Sequence, residues 1–333
     1  MENLKYAQLA PSLNALNALV QGDLARVNET IIANLENTVP LIPQLARHII
    51  AAGGKRLRPA LTILSAKLCK YEGNRHIDLA ACIELIHTAT LLHDDVVDES
   101  ALRRGSATAN EIWGNKSSVL VGDFLLSRAF QIMVKDGSLA ALKILSDASA
   151  IISQGEVLQL TTANNMETTK EQYIEVVTSK TATLFAAACE LGAVVAGEKE
   201  KESVLRDAGL ALGIAFQIMD DALDYVAVQA KLGKEVGDDF RDGKVTLPVI
   251  LAYENGAPEE KDFWKRTLEN QEIGEGDFEQ AAKIIRKYDT ISLSVAVAEK
   301  YCEAARSLVS CFPESPEKRA FIETVDFCTQ RAY

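Results

Sequence analysis

The sequence predicts an all-α fold, a helical bundle forming one domain over residues 1–333, and three observations carry that expectation. The eight prolines fall at 11, 40, 43, 59, 248, 258, 313 and 316, so residues 60–247 contain none. A proline inside a helix costs about 3 kcal/mol, and so long a gap suits successive helices. The segments IDLAACIELIHTATLLHDD (77–95) and RDAGLALGIAFQIMDD (206–221) are apolar around most of their circumference, the pattern of helices buried at the centre of a bundle. The breaks between such segments are short, charged and glycine-bearing: AAGGKRLRP (51–59), RRGSAT (103–108) and KLGKEVGDDFRDGKVTLP (231–248), with no long linker or solenoid repeat. EQYIEVVTSKTATLFAAACELG (171–192) predicts a further helix that stops at its closing glycine, Gly192.

Composition excludes several classes. The 333 residues, 48% of them hydrophobic, can bury a sizeable core. A formal net charge of -12 opposes general binding to nucleic acid or to an anionic membrane. Any anionic substrate must then be captured by local basic clusters. The six cysteines, at 69, 82, 189, 302, 311 and 328, contain no CxxC pair or zinc spacing and are expected to be reduced thiols. The opening MENLKYAQLAPSLN lacks the features of a secretory signal, and no run approaches 18 uncharged apolar residues. The expectation is a cytoplasmic protein without a transmembrane anchor.

The informative stretch is LLHDDVVDES (91–100), which crowds Asp94, Asp95 and Asp98 into one turn. On a helix Asp94 and Asp98 share a face and repel by roughly 0.2 to 0.5 kcal/mol. Standing alone, this would be an ordinary solvated helix end. However, FQIMDDALDY (216–225) repeats it with Asp220, Asp221 and Asp224 at identical spacing. Each cluster closes an apolar segment, where the helix dipole already carries about half a negative charge. A bound divalent cation reverses both penalties, and all-oxygen ligands select a hard ion such as Mg2+, which binds one or two carboxylates together with substrate phosphates. Two such clusters facing each other would make a cation-bridged diphosphate site.

Basic residues supply the complement. Lys55, Arg56 and Arg58 surround the glycines of GGKRLRP, Arg103 and Arg104 follow the first cluster, and Lys234 and Lys244 follow the second. Any one of these reads as surface charge. Their repeated placement in loops beside acidic clusters reads as phosphate binding, bidentate for arginine and point-charged for lysine.

In order along residues 53–248, GGKRLRP, LIHTATLLHDDVVDESALRRG, GEVLQL, SKTATLF, FQIMDDALDY and GKEVGDDFRDGKVTLP resemble the motifs of long-chain trans-polyprenyl diphosphate synthases of the octaprenyl, solanesyl and decaprenyl type. The resemblance implies the isoprenoid synthase fold, with a central active-site cavity. It implies that Asp94, Asp95, Asp98, Asp220, Asp221 and Asp224 hold about three Mg2+ ions on an allylic diphosphate. Arg103, Lys180, Thr181, Gln217, Lys234 and Lys244 match contacts to that diphosphate, and Lys55, Arg58, His87 and Arg104 match the isopentenyl diphosphate pocket. Asp238 matches a water-mediated metal partner. His87 lies close in angle to Asp94, two turns earlier; His93, six residues from His87, reads as structural.

The implied reaction is sequential head-to-tail condensation of isopentenyl diphosphate with an allylic primer, farnesyl diphosphate. Metal ions and cationic side chains stabilise the departing diphosphate, the allylic cation is attacked by the second substrate's double bond, and the released diphosphate takes the proton. Ala89 and Thr90 lie roughly 6 to 8 Å below Asp94 along the helix, and both are small. Short-chain members resemble this chain except for aromatic residues there, so the expectation is an open tunnel and a product of about eight to ten units for a quinone side chain. Met133, with Phe130 and Ile132, is a candidate for the tunnel floor. The alternatives are a shorter-chain, geranylgeranyl-type synthase, a non-catalytic subunit of a heteromeric synthase, a terpene cyclase and an acidic scaffold. The intact DDALD and GGKRLRP weigh against the last three. The family resemblance also implies a homodimer and transient membrane contact during product release.

Overall fold

The computed structural model describes residues 13–51, 56–103, 105–225 and 237–330. It is 80% helical, against about a third in an ordinary domain, so the all-α expectation holds. In chain order the helices are α1 (Asn14–Leu35), α2 (Leu41–Ala51), α3 (Leu57–Leu68), α4 (Arg75–Val97), α5 (Ala109–Trp113), α6 (Asn115–Asp136), α7 (Leu139–Thr162), α8 (Lys170–Val177) and α9 (Thr183–Ala196). There follow α10 (Lys199–Leu223), α11 (Asp238–Arg241), α12 (Leu247–Asn255), α13 (Pro258–Trp264), α14 (Asp277–Lys287), α15 (Thr290–Val309) and α16 (Pro316–Gln330). A π-helical turn, Thr178–Ala182, joins α8 to α9. The break at 103–108 holds a feature that periodicity does not predict, an antiparallel hairpin of β1 (Leu102–Arg103) and β2 (Ser106–Ala107).

The chain forms two compact units: residues 1–149, 184–209 and 307–324, and residues 150–183, 210–306 and 325–333. In the first, α4 is the central helix. Its buried residues run from His76 to Asp95 on every face, as a segment apolar all round requires, and α1, α3, α5 and α6 pack around it. Cys82 Sγ donates to the Ala129 carbonyl at 3.5 Å, Ser118 Oγ to the Leu92 carbonyl at 3.1 Å, and His93 Nε2 lies 3.2 Å from the Val119 carbonyl. The register therefore falls along α6 as it rises along α4, and the two helices are antiparallel. A Cβ on Gly122 would lie 2.3 Å from His93 Nε2, so the imidazole packs directly against this glycine.

The helix expected to stop at Gly192 runs on to Ala196. At Gly192 a Cβ would lie 2.4 Å from Ser65 Cβ and 2.5 Å from Ala66 N, so this glycine serves the close packing of α9 on α3. The stop is Gly197, whose φ of 74° is left-handed.

In the second unit, Phe240 meets Trp264 and Phe278 with ring centroids 6.4 and 6.0 Å apart, and Tyr225 stacks on Phe278 at 6.2 Å. This cluster anchors α11 beside the C-terminal end of α10. Asn164 N donates to the Gly243 carbonyl at 3.2 Å, which fixes the turn leading to Lys244. Two stretches, Asn115–Asp136 and Lys170–Ala196, are long and apolar enough to cross a membrane by length and composition. The second is 67% buried within the fold, and the first carries Asp123 and Arg128 in its interior.

Candidate active site

The first acidic cluster ends α4. Asp94 and Asp95 stand on its last turn and Asp98 is the C-cap, with Asp98 N donating to the Asp94 carbonyl at 2.8 Å. Successive residues turn by about 100° on a helix, so the i and i+4 acids share a face while the second acid points elsewhere. Accordingly Asp95 is only 1% exposed, whereas Asp94 and Asp98 are half-buried. The β1–β2 hairpin folds Arg103 back onto Asp95, donating from Nη2 to Oδ1 at 2.7 Å and from Nε at 2.9 Å. Nearby, Arg58 Nη1 lies 3.1 Å from His87 Nε2, and its guanidinium sits 4.5 Å above the Phe185 ring. Arg56, at a left-handed φ of 46°, pairs with Glu84.

The second cluster repeats the division. Asp221 is 6% exposed, and Asp220 and Asp224 are half-buried. Asp221 accepts from the Tyr173 hydroxyl at 2.6 Å on Oδ2 and from Gln217 Nε2 at 2.6 Å on Oδ1. Thr181 Oγ1, on the π-helical turn, donates to Gln217 Oε1 at 3.0 Å. Its neighbour Lys180 donates to Glu156 Oε2 of α7 at 2.7 Å. Asp239 N donates to Asp224 Oδ2 at 3.1 Å, Lys244 pairs with Asp242 at 3.0 Å and Asp238 with Arg241 at 2.5 Å. A cavity of about 140 Å³ is lined by Tyr173, Lys180, Thr181, Gln217, Asp221 and Lys244, among others.

Lys55, Arg104 and Lys234 lie outside the described residues. Of the residues expected along the tail path, Ala89 is 2% exposed and Met133 1%. Ala89 falls on the α4 stripe between Cys82 and His93 that touches α6, while Thr90 Oγ1 donates to the His87 carbonyl at 2.8 Å. Phe130, named with Ile132 and Met133 as a floor residue, instead turns outward and is 39% exposed, because it stands off the face of α6 that meets α4. Tyr173 and Glu156 are among the residues of the second unit's site that were not singled out from sequence. Tyr173 precedes Lys180 by seven residues, two helical turns, which is the one sequence signal for it. Glu156 stands inside GEVLQL.

The donor set fits Mg2+. It is all carboxylate, and the first and last aspartates of each cluster are half-buried and not sealed in the core. Among the described residues no three histidine, cysteine or acidic side chains converge as a ready cage; Mg2+ can be held by one or two carboxylates together with waters and substrate phosphate.

Burial pushes the Asp221 carboxyl up to about 6, against the opposing pull of the Tyr173 and Gln217 hydrogen bonds; Asp220 adds to the rise and Lys244 counters it. An ordinary aspartate loses its proton near 3.8, so between these values the folded chain holds more protons than the unfolded one. Stability from this group is thus full below about pH 4, falls as pH rises through 6 and stays lost above it. Asp221→Asn is expected to stabilise the ion-free protein at pH 8 by up to about 3 kcal/mol and to have little effect near pH 4. Thermal unfolding in chelator at the two pH values checks this.

Gly155, one residue before Glu156, lets α7 approach the π-helical turn: a Cβ there would lie 2.8 Å from both Lys180 N and Ser179 Cβ. Gly155→Ala is expected to destabilise the chain by about 1 to 3 kcal/mol through overpacking and to lower activity by displacing Lys180. Urea unfolding and steady-state rates on one preparation measure both effects.

The fold and the paired acidic helix ends define an isoprenoid synthase. A model of the polyprenyl synthetase family matches residues 39–285, and the chain belongs to that family. It is 44% identical over 321 residues to the octaprenyl diphosphate synthase of Escherichia coli, covering 96% of this chain and 99% of that one. A polyprenyl synthase from Caulobacter crescentus, solved in complex with calcium and isoprenyl diphosphate, superposes with a TM-score of 0.94 at 46% identity, covering 96% of this chain and 98% of that one. A decaprenyl diphosphate synthase from Rhodobacter capsulatus superposes with a TM-score of 0.92 at 45% identity, covering 96% and 99%. Members of the family are trans-prenyltransferases.

Proposed function

We propose that this chain lengthens an allylic diphosphate primer, farnesyl diphosphate, by repeated head-to-tail condensation with isopentenyl diphosphate, and releases an all-trans polyprenyl diphosphate of about eight to ten units held in an apolar tunnel. The observation that carries this reading is the cavity wall. Lys180, Thr181, Gln217, Asp221 and Lys244 come from separate motifs, and all line one cavity. The likeness to long-chain synthases favours this product over a geranylgeranyl-type one, and two intact aspartate clusters argue against a non-catalytic subunit.

In this reading Lys180 and Lys244 bring positive charge to the allylic diphosphate, while Gln217 and Thr181 orient it. Arg103, held by Asp95, supplies a further donor on the same group. Arg58 and His87, together with Lys55 and Arg104, hold isopentenyl diphosphate so that its double bond faces the reacting carbon. Asp94, Asp98, Asp220 and Asp224 are the carboxylates best placed to take Mg2+, with Asp95 and Asp221 behind them. Bound there, Mg2+ supplies Lewis acidity to the departing diphosphate. No side chain acts as nucleophile, and the released diphosphate accepts the proton.

The active form is a homodimer acting in the cytoplasm as one catalytic domain spanning 1–333. Exposed Leu120 and Val134 on α6, 67% and 69% exposed, suit a second copy of the chain. The product passes by transient contact to a membrane for use in a quinone side chain. Diphosphate release by purified protein tests the reaction class. It should be rapid only when allylic diphosphate, isopentenyl diphosphate and Mg2+ are all present. Release from the allylic substrate alone would indicate a cyclase or a hydrolase.

A further inference from the structure

We propose that Tyr173 is a positioning residue for the allylic diphosphate: its hydroxyl clamps Asp221, and Asp221 in turn sets the orientation of the Gln217 amide. The proposal rests on the reading of Gln217 and Lys180 as diphosphate contacts, with Thr181 acting through Gln217. Tyr173 is 5% exposed, yet its hydroxyl is spent on a carboxylate oxygen, Asp221 Oδ2, at 2.6 Å. Packing alone would be met by phenylalanine, and a buried hydroxyl beside a buried carboxylate is retained only for the bond it makes.

The bond has a directional consequence. A carboxylate only accepts, so Asp221 Oδ1 dictates that the NH2 end of Gln217 faces it, at 2.6 Å. Thr181 Oγ1 closes the other end by donating to Gln217 Oε1 at 3.0 Å. With both ends fixed, Gln217 keeps one N–H for a ligand, and the Thr181 proton is committed to Gln217. Tyr173, Thr181, Gln217 and Asp221 all line the same cavity as Lys180. Without the hydroxyl, Asp221 keeps only the Gln217 bond and can rotate about its own side chain, and the amide loses its fixed direction. The partners that orient a ligating carboxylate or amide typically change affinity by about 10- to 100-fold when removed.

Tyr173→Phe tests this. The expected result is a KM for farnesyl diphosphate raised about tenfold, with kcat and the KM for isopentenyl diphosphate within about twofold of the parent. Calorimetric affinity for inorganic diphosphate in Mg2+ should weaken by the same factor. An unchanged KM and affinity, or a fall in kcat alone, would overturn the proposal. Should the phenylalanine variant not fold, 3-fluorotyrosine at position 173 keeps the shape and alters the strength of the donor. The KM for farnesyl diphosphate must then shift without kcat, and no shift overturns the proposal. Parent protein that binds no diphosphate refutes the functional reading and this proposal together, whereas parent binding with an unchanged variant refutes this proposal alone.

Discussion

Asp94→Ala is expected to lower the rate of condensation by on the order of 10³-fold at saturating Mg2+, the equivalent of about 4 kcal/mol of transition-state stabilisation. Asp95 is taken up by Arg103 in the core of the first unit. The proposed function gives the half-buried Asp94 and Asp98 the metal-facing role of that helix end, and loss of either would weaken the hold on an ion there. Initial rates check this, and a rate loss smaller than tenfold would contradict the assignment.

Ala89→Phe is expected to shorten the product by several isoprene units while leaving the first condensations intact. Ala89 stands roughly 6 to 8 Å along α4 from Asp94, on the stripe that meets α6. A phenyl ring there must occupy space between α4 and α6, because Ala89 is 2% exposed and already enclosed. The same crowding should destabilise the chain by about 1 to 3 kcal/mol. Chain-length analysis of products from the variant, made under conditions where it is folded, checks the effect. An unchanged distribution would show that the growing tail does not pass Ala89.

The acidic clusters were legible because one spacing occurs twice, and the chance reading of a charged helix end cannot account for the repeat. Their internal division was legible in principle from helical angle alone, since the second acid of each cluster turns away from the i, i+4 face. What it turns toward was not. Asp221 meets Tyr173 across 48 residues, and Lys180 meets Glu156 across 24, and such pairings follow from packing that no local period encodes. Gly192 shows the opposite failure. A glycine that ends a helix and one that admits a neighbouring helix look alike in sequence, and only the left-handed φ of Gly197 and the tight approach of Ser65 to Gly192 separate them. The β1–β2 hairpin escaped because two-residue strands are too short for a period of two to register, yet it is what returns Arg103 to Asp95.

The most direct test of the whole account is the chain length of the product made by purified protein from farnesyl diphosphate, isopentenyl diphosphate and Mg2+. The expected products are all-trans polyprenyl diphosphates centred on about eight to ten units, extended within an apolar tunnel. Products that stop at about four units or fewer, shorter than such a tunnel would hold, would contradict it.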